Sequence, residues 1–333
     1  MLRAFAKAEL DKRHICVVTD ENVASLYADA VLSELQPAKV SFFSVKAGES
    51  FKTLQTVETM YSAFVKFGLD RKSVVLALGG GVVGDMAGFA ASTYMRGIQF
   101  AQAPTTLLSQ VDASVGGKLG VDFMGAKNLI GVFCQPAFVY INTSTLRTLP
   151  PEQFSSGMAE VIKHGLALDA DYLNSLKAAK EKIKAMEPQA LKEAIEGSCR
   201  IKSNIVAQDE RETGIRELLN FGHTSGHAVE SLSGFALPHG HAVAIGMVAA
   251  MSLSASRGLI AESEIEDACQ LLSYFGLPLK ADASPDKVFE MMRLDKKSKG
   301  GEIHAVLLEK IGKAFTCVPS KDELFLAIGR ICG

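Results

Sequence analysis

The sequence predicts an α/β part with a mostly parallel sheet, followed by a mainly α-helical part. Three observations carry this. Through residues 1–149, short apolar runs alternate with stretches of helical period. A buried-looking strand, residues 73–78, runs straight into Gly79-Gly80-Gly81. After Pro150-Pro151 the texture changes to long helical patterns with one strand-like run. Strands separated by helices favour parallel pairing, with helices covering both faces of the sheet.

In order, residues 14–19 (HICVVT) and 40–45 (VSFFSV) read as buried strands. Residues 21–36 between them have helical spacing, and Pro37 closes that stretch. Residues 53–67 form a second helix, with Leu54, Val57, Tyr61 and Phe64 or Val65 on one stripe, and Gly68 stops it. The strand at 73–78 follows, then further strands near 99–103 and 138–142. Beyond residue 149, helices are predicted at 152–168, 189–207, 224–232, 242–257 and 262–275, with a strand at 303–308. The expected domains are therefore 1–149 and 150–333, with no internal repeat and no low-complexity linker.

The composition narrows the function. Among 333 residues, 35 basic and 37 acidic side chains leave a net charge of −2. Without a basic excess, a general affinity for nucleic acid or membrane surfaces is not expected. A 48% hydrophobic and 22% charged content is that of a folded globular chain. The six cysteines (Cys16, Cys134, Cys199, Cys269, Cys317, Cys332) are scattered without a CxxC pair, as expected of free thiols in a reducing compartment. The first residues lack the apolar core of a signal peptide, and no uncharged apolar run of about 18 residues occurs. A cytoplasmic protein is the expectation.

Three clusters carry chemistry. In LALGGGVVGDMAG, residues 76–88, glycines between a strand and a helix let backbone N–H groups approach a phosphate or pyrophosphate at the helix N-terminus. The pattern is neither GxGxxG nor a Walker loop, and a plain tight turn would read the same way. Residues 104–131, PTTLLSQVDASVGGKLGVDFMGAKNLIG, mix Thr105, Thr106, Asp112, Lys118, Lys127 and Asn128 with glycines. That mixture suits an anionic ligand better than an amphipathic helix, the alternative being an exposed loop. Third, four of seven histidines fall within residues 223–241. His223 and His227 share a helix face and His239 follows, which points to a metal site. An acid would complete it. Glu160 stands in an otherwise apolar helical stretch, where a carboxylate needs a partner, but spacing alone does not choose it over Glu212 or Glu230.

These blocks resemble a known family. GGGVVGD, STYMRG, PTTLLSQVDASVGGK, GAKNLIG, GMAEVIKHG, DERE..IRELLNFGHTSGHAVE and LPHGHAVAIGM are similar, in order and spacing, to the 3-dehydroquinate synthases among the sugar-phosphate cyclases. The likeness spans essentially the whole chain. It implies a dehydroquinate synthase-like fold: a Rossmann-like N-terminal domain holding NAD and a helical C-terminal domain holding a divalent metal, zinc or else cobalt. The implied reaction turns 3-deoxy-D-arabino-heptulosonate 7-phosphate (DAHP) into 3-dehydroquinate and phosphate. It proceeds by transient oxidation at C5, phosphate elimination, re-reduction and an intramolecular aldol closure. The implied place is the shikimate pathway to chorismate and the aromatic amino acids.

Carried onto this chain, the resemblance makes Glu160, His223 and His239 the metal ligands and places His227 on the substrate. The residues alone would have paired His223 with His227. Arg216 and Lys118 match positions that hold the substrate carboxylate, for which a planar guanidinium fork is well suited. Asn128, Asn220 and His227 match phosphate contacts, as does Arg96, reaching across from the neighbouring subunit of a homodimer. Asp112, Lys163, Lys202 and Glu212 match further positions around the sugar hydroxyls and metal. For NAD the likeness points to Asp20, Asn22, Glu49, Lys52, Gly80, Gly81, Asp85, Thr105, Thr106, Lys127, Thr148 and Leu149. Asp20, directly after a strand, also reads as a helix cap.

Two departures stand out. Where the family usually reads His-Gly-Glu, this chain reads His239-Gly240-His241, so the ligand is kept and the acid behind it is replaced, which bears on metal tuning. Asp295, Lys296 and Lys297 are retained, but His304 stands where a Lys or Arg is expected near the substrate phosphate. A neutral imidazole would bind that group less strongly than a permanently charged Lys or Arg. Other readings are a cyclase for a carboxylate-free sugar phosphate (a 2-deoxy-scyllo-inosose or 2-epi-5-epi-valiolone synthase), a metal-dependent polyol dehydrogenase, or an inactive NAD-binding protein. Retained Arg216, Leu219, Asn220 and His227 speak against the first, Glu160 in place of an Asp ligand against the second, and the retained site positions against the third.

Overall fold

A computed structural model describes residues 1–297 and 302–333, without the side chains of Asp295, Lys296 and Lys297, so the expectations for those three lie outside the described residues. The chain divides into two units, Met1–Leu146 and Arg147–Gly333.

The first unit opens with a short helix, α1 (Leu2–Lys7), then β1 (Ile15–Asp20), α2 (Glu21–Glu34), β2 (Val40–Val45), α3 (Leu54–Phe67), β3 (Val74–Gly79), α4 (Gly81–Thr93) and β4 (Gln99–Pro104). The four strands form one parallel sheet in the order β2-β1-β3-β4. Side chains alternate across it with period two. Ile15, Val17, Val74, Leu76 and Leu78 enter one core with Phe5, Val31 and Leu35. Cys16, Val18, Val75 and Ala77 enter the other with Val57, Met60, Phe64 and Met86. Burial on both faces explains why these strands are continuous apolar runs. The chain crosses from β1 to β2 on one side and returns to β3 on the other. The order therefore reverses between β1 and β3, where open α/β sheets leave a crevice at the carboxyl ends of their strands.

After β4 the chain makes a wide helical turn, Ser109–Ala113, and an antiparallel hairpin of β5 (Lys118–Phe123) and β6 (Ala126–Phe133). Met124 and Gly125 link these strands with φ of 50° and 81°, the left-handed pair that a two-residue hairpin turn requires. The expected strand at 138–142 is reduced to a single bridge between Gln102 and Val139. Asn142 ends it by accepting the Ser144 N–H with its side chain at 3.1 Å, which folds the backbone into a turn.

The second unit runs α5 (Pro151–Leu168), α6 (Ala170–Lys184), α7 (Pro188–Gln208), α8 (His223–Leu232), α9 (His239–Ser256), α10 (Glu262–Tyr274), α11 (Pro285–Lys297), β7 (Ala305–Lys310), β8 (Lys313–Cys317) and α12 (Lys321–Ile331). Prolines at the first positions of α5 and α7 fit helix starts, where no N–H partner is needed. Helices α5 and α9 are buried almost all round and form the centre of this unit. The sequence showed one strand near residue 303; the structure has a β7–β8 hairpin.

Close backbone contact holds the central helices. A Cβ on Gly240 would lie 1.9 Å from the Ser156 carbonyl oxygen, and one on Gly246 would lie 1.8 Å from that of Gly222. Only glycine fits at either place. The Gly240 N–H also donates to Ser156 Oγ at 3.0 Å, pinning the start of α9 to α5 one turn before Glu160.

Candidate functional site

In the second unit, α5, α8 and α9 bring Glu160, His223 and His239 together. His223 Nε2 lies 3.8 Å and His239 Nε2 3.9 Å from Glu160 Oε1. Glu160 is fully buried. Lys163 pairs with its Oε2, while Oε1, facing the two imidazoles, has no hydrogen-bond partner among the described residues. A buried carboxylate oxygen in that position is costly unless a donor or cation completes its surroundings.

The imidazoles are oriented for this. His223 Nδ1 is 3.3 Å from the Phe221 carbonyl oxygen, and His239 Nδ1 is 3.2 Å from Glu230 Oε2. Both partners can only accept, so both rings carry their proton on Nδ1 and turn an Nε2 lone pair toward Glu160. Burial, then the charges of Lys163, His227 and His239, hold the His223 pKa well below the ordinary value, keeping the ring neutral as a metal ligand must be. One carboxylate oxygen and two neutral imidazole nitrogens are a donor set suited to zinc or cobalt. The residues present therefore fit a divalent metal.

His227 is exposed, with its ring centroid 5.1 Å from that of His223 and 5.9 Å from that of His239. Ligand atoms of His223, His227 and His239 lie within 4.8 Å of one another, so the pairing suggested by spacing alone is also geometrically open. The buried Glu160 carboxylate distinguishes the two arrangements. The other acids considered are engaged elsewhere: Glu212 Oε1 accepts from Asn220 Nδ2 at 2.8 Å, and Glu230 faces His239 Nδ1. His241 turns to α5, with Nε2 2.7 Å from Ser155 Oγ.

Lys202 is buried on α7. Arg216 is buried in a short helical turn, Ile215–Asn220, where its guanidinium donates to the Glu210 carbonyl. Asp209, a residue the sequence reading passed over, organises this loop. Its Oδ1 accepts the Thr213 N–H at 2.9 Å, and its Oδ2 accepts those of Gly214 at 2.8 Å and Arg216 at 3.1 Å. The available signal was an Asp at a helix end followed by Thr213-Gly214, a pattern that favours side-chain capping of a turn. His304 is exposed, and its carbonyl accepts from Thr224 Oγ1 at 3.0 Å at the start of α8. Thr148 and Leu149 also belong to this unit.

In the first unit, Asp20 ends β1 and the glycines Gly79–Gly81 join the end of β3 to α4. Gly80 caps α4 without a side chain, and Gly81 is the first helical residue. A Cβ on Gly80 would lie 3.1 Å from Thr106 Cγ2, and one on Gly81 would lie 3.2 Å from Ala113 Cβ. Bare glycine backbone at a helix N-terminus, walled by Thr106, fits a phosphate-bearing cofactor. Thr105 lies alongside, its N–H donating to the Gly79 carbonyl at 2.9 Å. Asp20 ends β1 and caps α2, its Oδ1 accepting the N–H groups of Asn22 at 2.9 Å and Val23 at 3.0 Å.

Lys52 is buried and donates to Asp85 Oδ2 at 2.6 Å and Asn128 Oδ1 at 2.5 Å. Burial opposes its charge, but Asp85 and Glu49 outweigh that and raise its pKa. Burial pushes the Asp85 carboxyl up to about 6, against the pull of Lys52. Lys127 Nζ is 3.9 Å from Glu49 Oε1. The structure thus joins Asn128, expected on the substrate, to Lys52 and Asp85, expected on the cofactor. Asn128 has φ of 53°, and its N–H is held by Asp122 Oδ1 at 2.8 Å. Asp112 is part-buried in the wide helical turn, and Lys118 is exposed at the start of β5. Arg96 is exposed on a turn where Met95, Arg96 and Gly97 all have positive φ.

Known proteins resemble this chain throughout. The family profiles for the 3-dehydroquinate synthase N-terminal and C-terminal regions match residues 42–156 and 157–298. A 3-dehydroquinate synthase from Ruminiclostridium cellulolyticum is 44% identical over 92% of this chain and 87% of its own length. Among solved structures, 2-epi-5-epi-valiolone synthase from Streptomyces hygroscopicus subsp. jinggangensis, with NAD+ and Zn2+ bound, superposes with a TM-score of 0.91 at 29% identity, covering 99% of this chain and 94% of that one. A 2-deoxy-scyllo-inosose synthase complexed with carbaglucose-6-phosphate, NAD+ and Co2+ gives 0.82 at 28% identity, covering 96% and 91%.

Proposed function

Since the chain belongs to the 3-dehydroquinate synthase family, we propose that it converts DAHP to 3-dehydroquinate and phosphate with NAD and one divalent metal. The observation that carries the reading is the buried Glu160 carboxylate facing two oriented imidazoles. Glu160, His223 and His239 would hold the metal. When bound, NAD accepts and returns a hydride, and the metal lowers the pKa of a coordinated hydroxyl.

The chain's own residues bind and orient. In this reading residues 1–149 hold NAD and residues 150–333 hold metal and substrate. Gly80, Gly81, Thr105 and Thr106 would receive the pyrophosphate side of NAD at the start of α4, with Asp85 and Lys52 fixing a ribose. Asp20, Asn22, Glu49, Lys127, Thr148 and Leu149 complete that set. Arg216 and Lys118 would hold the substrate carboxylate, while Asn128, Asn220, His227 and His304 take the phosphate. Asp112, Lys163, Lys202 and Glu212 would surround the sugar hydroxyls. Lys163 already neutralises one Glu160 oxygen, which limits repulsion between that acid and an anionic substrate.

Incubation with DAHP, NAD and zinc tests the reading. Phosphate is released without net loss of NAD, whereas NADH building up in step with product would indicate a dehydrogenase. Sugar phosphates without a carboxylate are the comparison substrates, because the two structural relatives are named as synthases of other products. Faster turnover of one of these than of DAHP would refute the assignment.

The same reading makes the protein a homodimer that shares Arg96 across its interface. The first unit exposes Met95, Met124, Leu129 and Phe133 on the Arg96 turn and the β5–β6 hairpin, apolar surface suited to a second copy. Mixing inactive R96A and E160A proteins restores activity if Arg96 serves the neighbouring site, and restores none if it serves its own. No helix among the described residues is long and apolar enough to cross a membrane, and the assignment places the enzyme in the cytoplasm.

A further inference from the structure

We propose that Glu230 is the positioning residue for the His239 metal ligand. This rests on the reading of Glu160, His223 and His239 as ligands. Three observations point to it. Glu230 is 4% exposed on α8, and its Oε2 lies 3.2 Å from His239 Nδ1 at the first residue of α9. A carboxylate there can only accept, so it fixes the Nδ1–H tautomer and leaves Nε2 aimed at Glu160 Oε1, 3.9 Å away. His241 meanwhile is committed to Ser155 Oγ at 2.7 Å and cannot serve His239 through that same nitrogen.

The consequence is chemical as well as geometric. A carboxylate behind an imidazole makes the ring a stronger donor and holds its plane, and losing such a partner typically weakens metal binding about 10–100-fold. His223 achieves the same tautomer with a neutral backbone carbonyl, that of Phe221. The two imidazoles are thus unequal, and His239 is the one whose donor strength depends on a removable side chain.

Zinc affinity of the apo protein, measured by competition with a chromogenic chelator in the absence of substrate, tests this. E230A is expected to weaken zinc binding 10–100-fold, with H241A staying within threefold of the parent. E230A binding zinc within threefold of the parent, or H241A losing as much as E230A, overturns the proposal. If E230A does not fold, E230Q serves. It keeps the shape but not the charge and should lose at least threefold at an apo melting temperature close to the parent's; unchanged affinity in that folded variant is equally fatal. E160A and H223A separate this inference from the reading beneath it. If both still bind zinc, the ligand assignment has failed. If both lose zinc while E230A keeps it, only the role of Glu230 has failed.

Discussion

Asp209 Oδ2 accepts the backbone N–H of Arg216 at 3.1 Å and that of Gly214 at 2.8 Å, so one carboxylate closes the whole loop from the end of α7 to the guanidinium. The Arg216 side chain returns to the Glu210 carbonyl inside the same loop. Glu212, at the loop's middle, takes a left-handed φ of 60° and receives Asn220 Nδ2. Three proposed substrate residues, Glu212, Arg216 and Asn220, thus lie in or beside a loop whose backbone this acid holds.

D209A should lower kcat/KM for DAHP about 10–100-fold, mainly through KM, while zinc affinity stays within threefold. Three N–H groups lose their acceptor and the Arg216 backbone is released. The hydrogen bonds from Thr213, opposed by desolvation and helped by those from Arg216 and Gly214, bring the Asp209 pKa down to about 2. A depressed carboxylate pKa contributes stability that is fully present above the unfolded value, near 3.8, and is lost as pH falls toward 2. Kinetics of D209A and D209N, with zinc titration in parallel, decide this. Equal loss of zinc affinity in D209A would mean that the loop supports the whole unit rather than Arg216.

Metal content separates the two arrangements of histidines. E160A, H223A and H239A should each lose metal and activity together, whereas H227A should lose activity and keep its metal. Elemental analysis of the four purified proteins measures this. Loss in H227A with retention in E160A would favour the three-histidine arrangement, which the ligand-atom spacing permits.

Much of this was legible in the sequence because the signals were local. The apolar runs of β1 and β3 announce a sheet buried on both faces, and the triple glycine announces the turn into α4. The histidine cluster was visible from spacing, but the choice of Glu160 over Glu212 and Glu230 came only from the family likeness. That choice depends on where α5 crosses α9, which is set by backbone contact at Gly240 and Ser156 far apart in the chain. Helix α6 escaped notice because only Tyr172, Leu173, Leu176 and Ile183 of its stripe are buried amid lysines. Helix α12 was missed despite a readable signal: Ser320 and Glu323 form a reciprocal capping box.

Gly246 offers a packing test. A methyl group there would lie 1.8 Å from the Gly222 carbonyl oxygen and 2.8 Å from the Gly226 nitrogen, both backbone atoms that cannot rotate away. G246A must force α8 from α9 at a cost of about 3 kcal/mol, the upper end of usual overpacking. For a unit of this size that lowers the melting temperature by roughly 6–12 °C. Because α8 carries His223 and α9 carries His239, zinc affinity should fall with it. A change below about 2 °C in the apo protein would show that the helices yield without cost.

Substrate choice turns on Arg216. A carboxylate separates DAHP from ordinary sugar phosphates, and Arg216 is buried to 2% exposure with a planar fork suited to that group. Removing one partner of a buried pair typically costs about 3–5 kcal/mol. At about 1.4 kcal/mol per tenfold, R216A should lose roughly 10²–10⁴ in kcat/KM. R216K restores charge but not the paired donors, so it should recover only part of that loss. Phosphate is assigned to other side chains, so inhibition by inorganic phosphate should change little in either variant. Steady-state kinetics on both, with phosphate inhibition in each, make the comparison. If DAHP turnover falls less than threefold in R216A, the carboxylate is held elsewhere, and discrimination against carboxylate-free sugar phosphates must come from another part of the site.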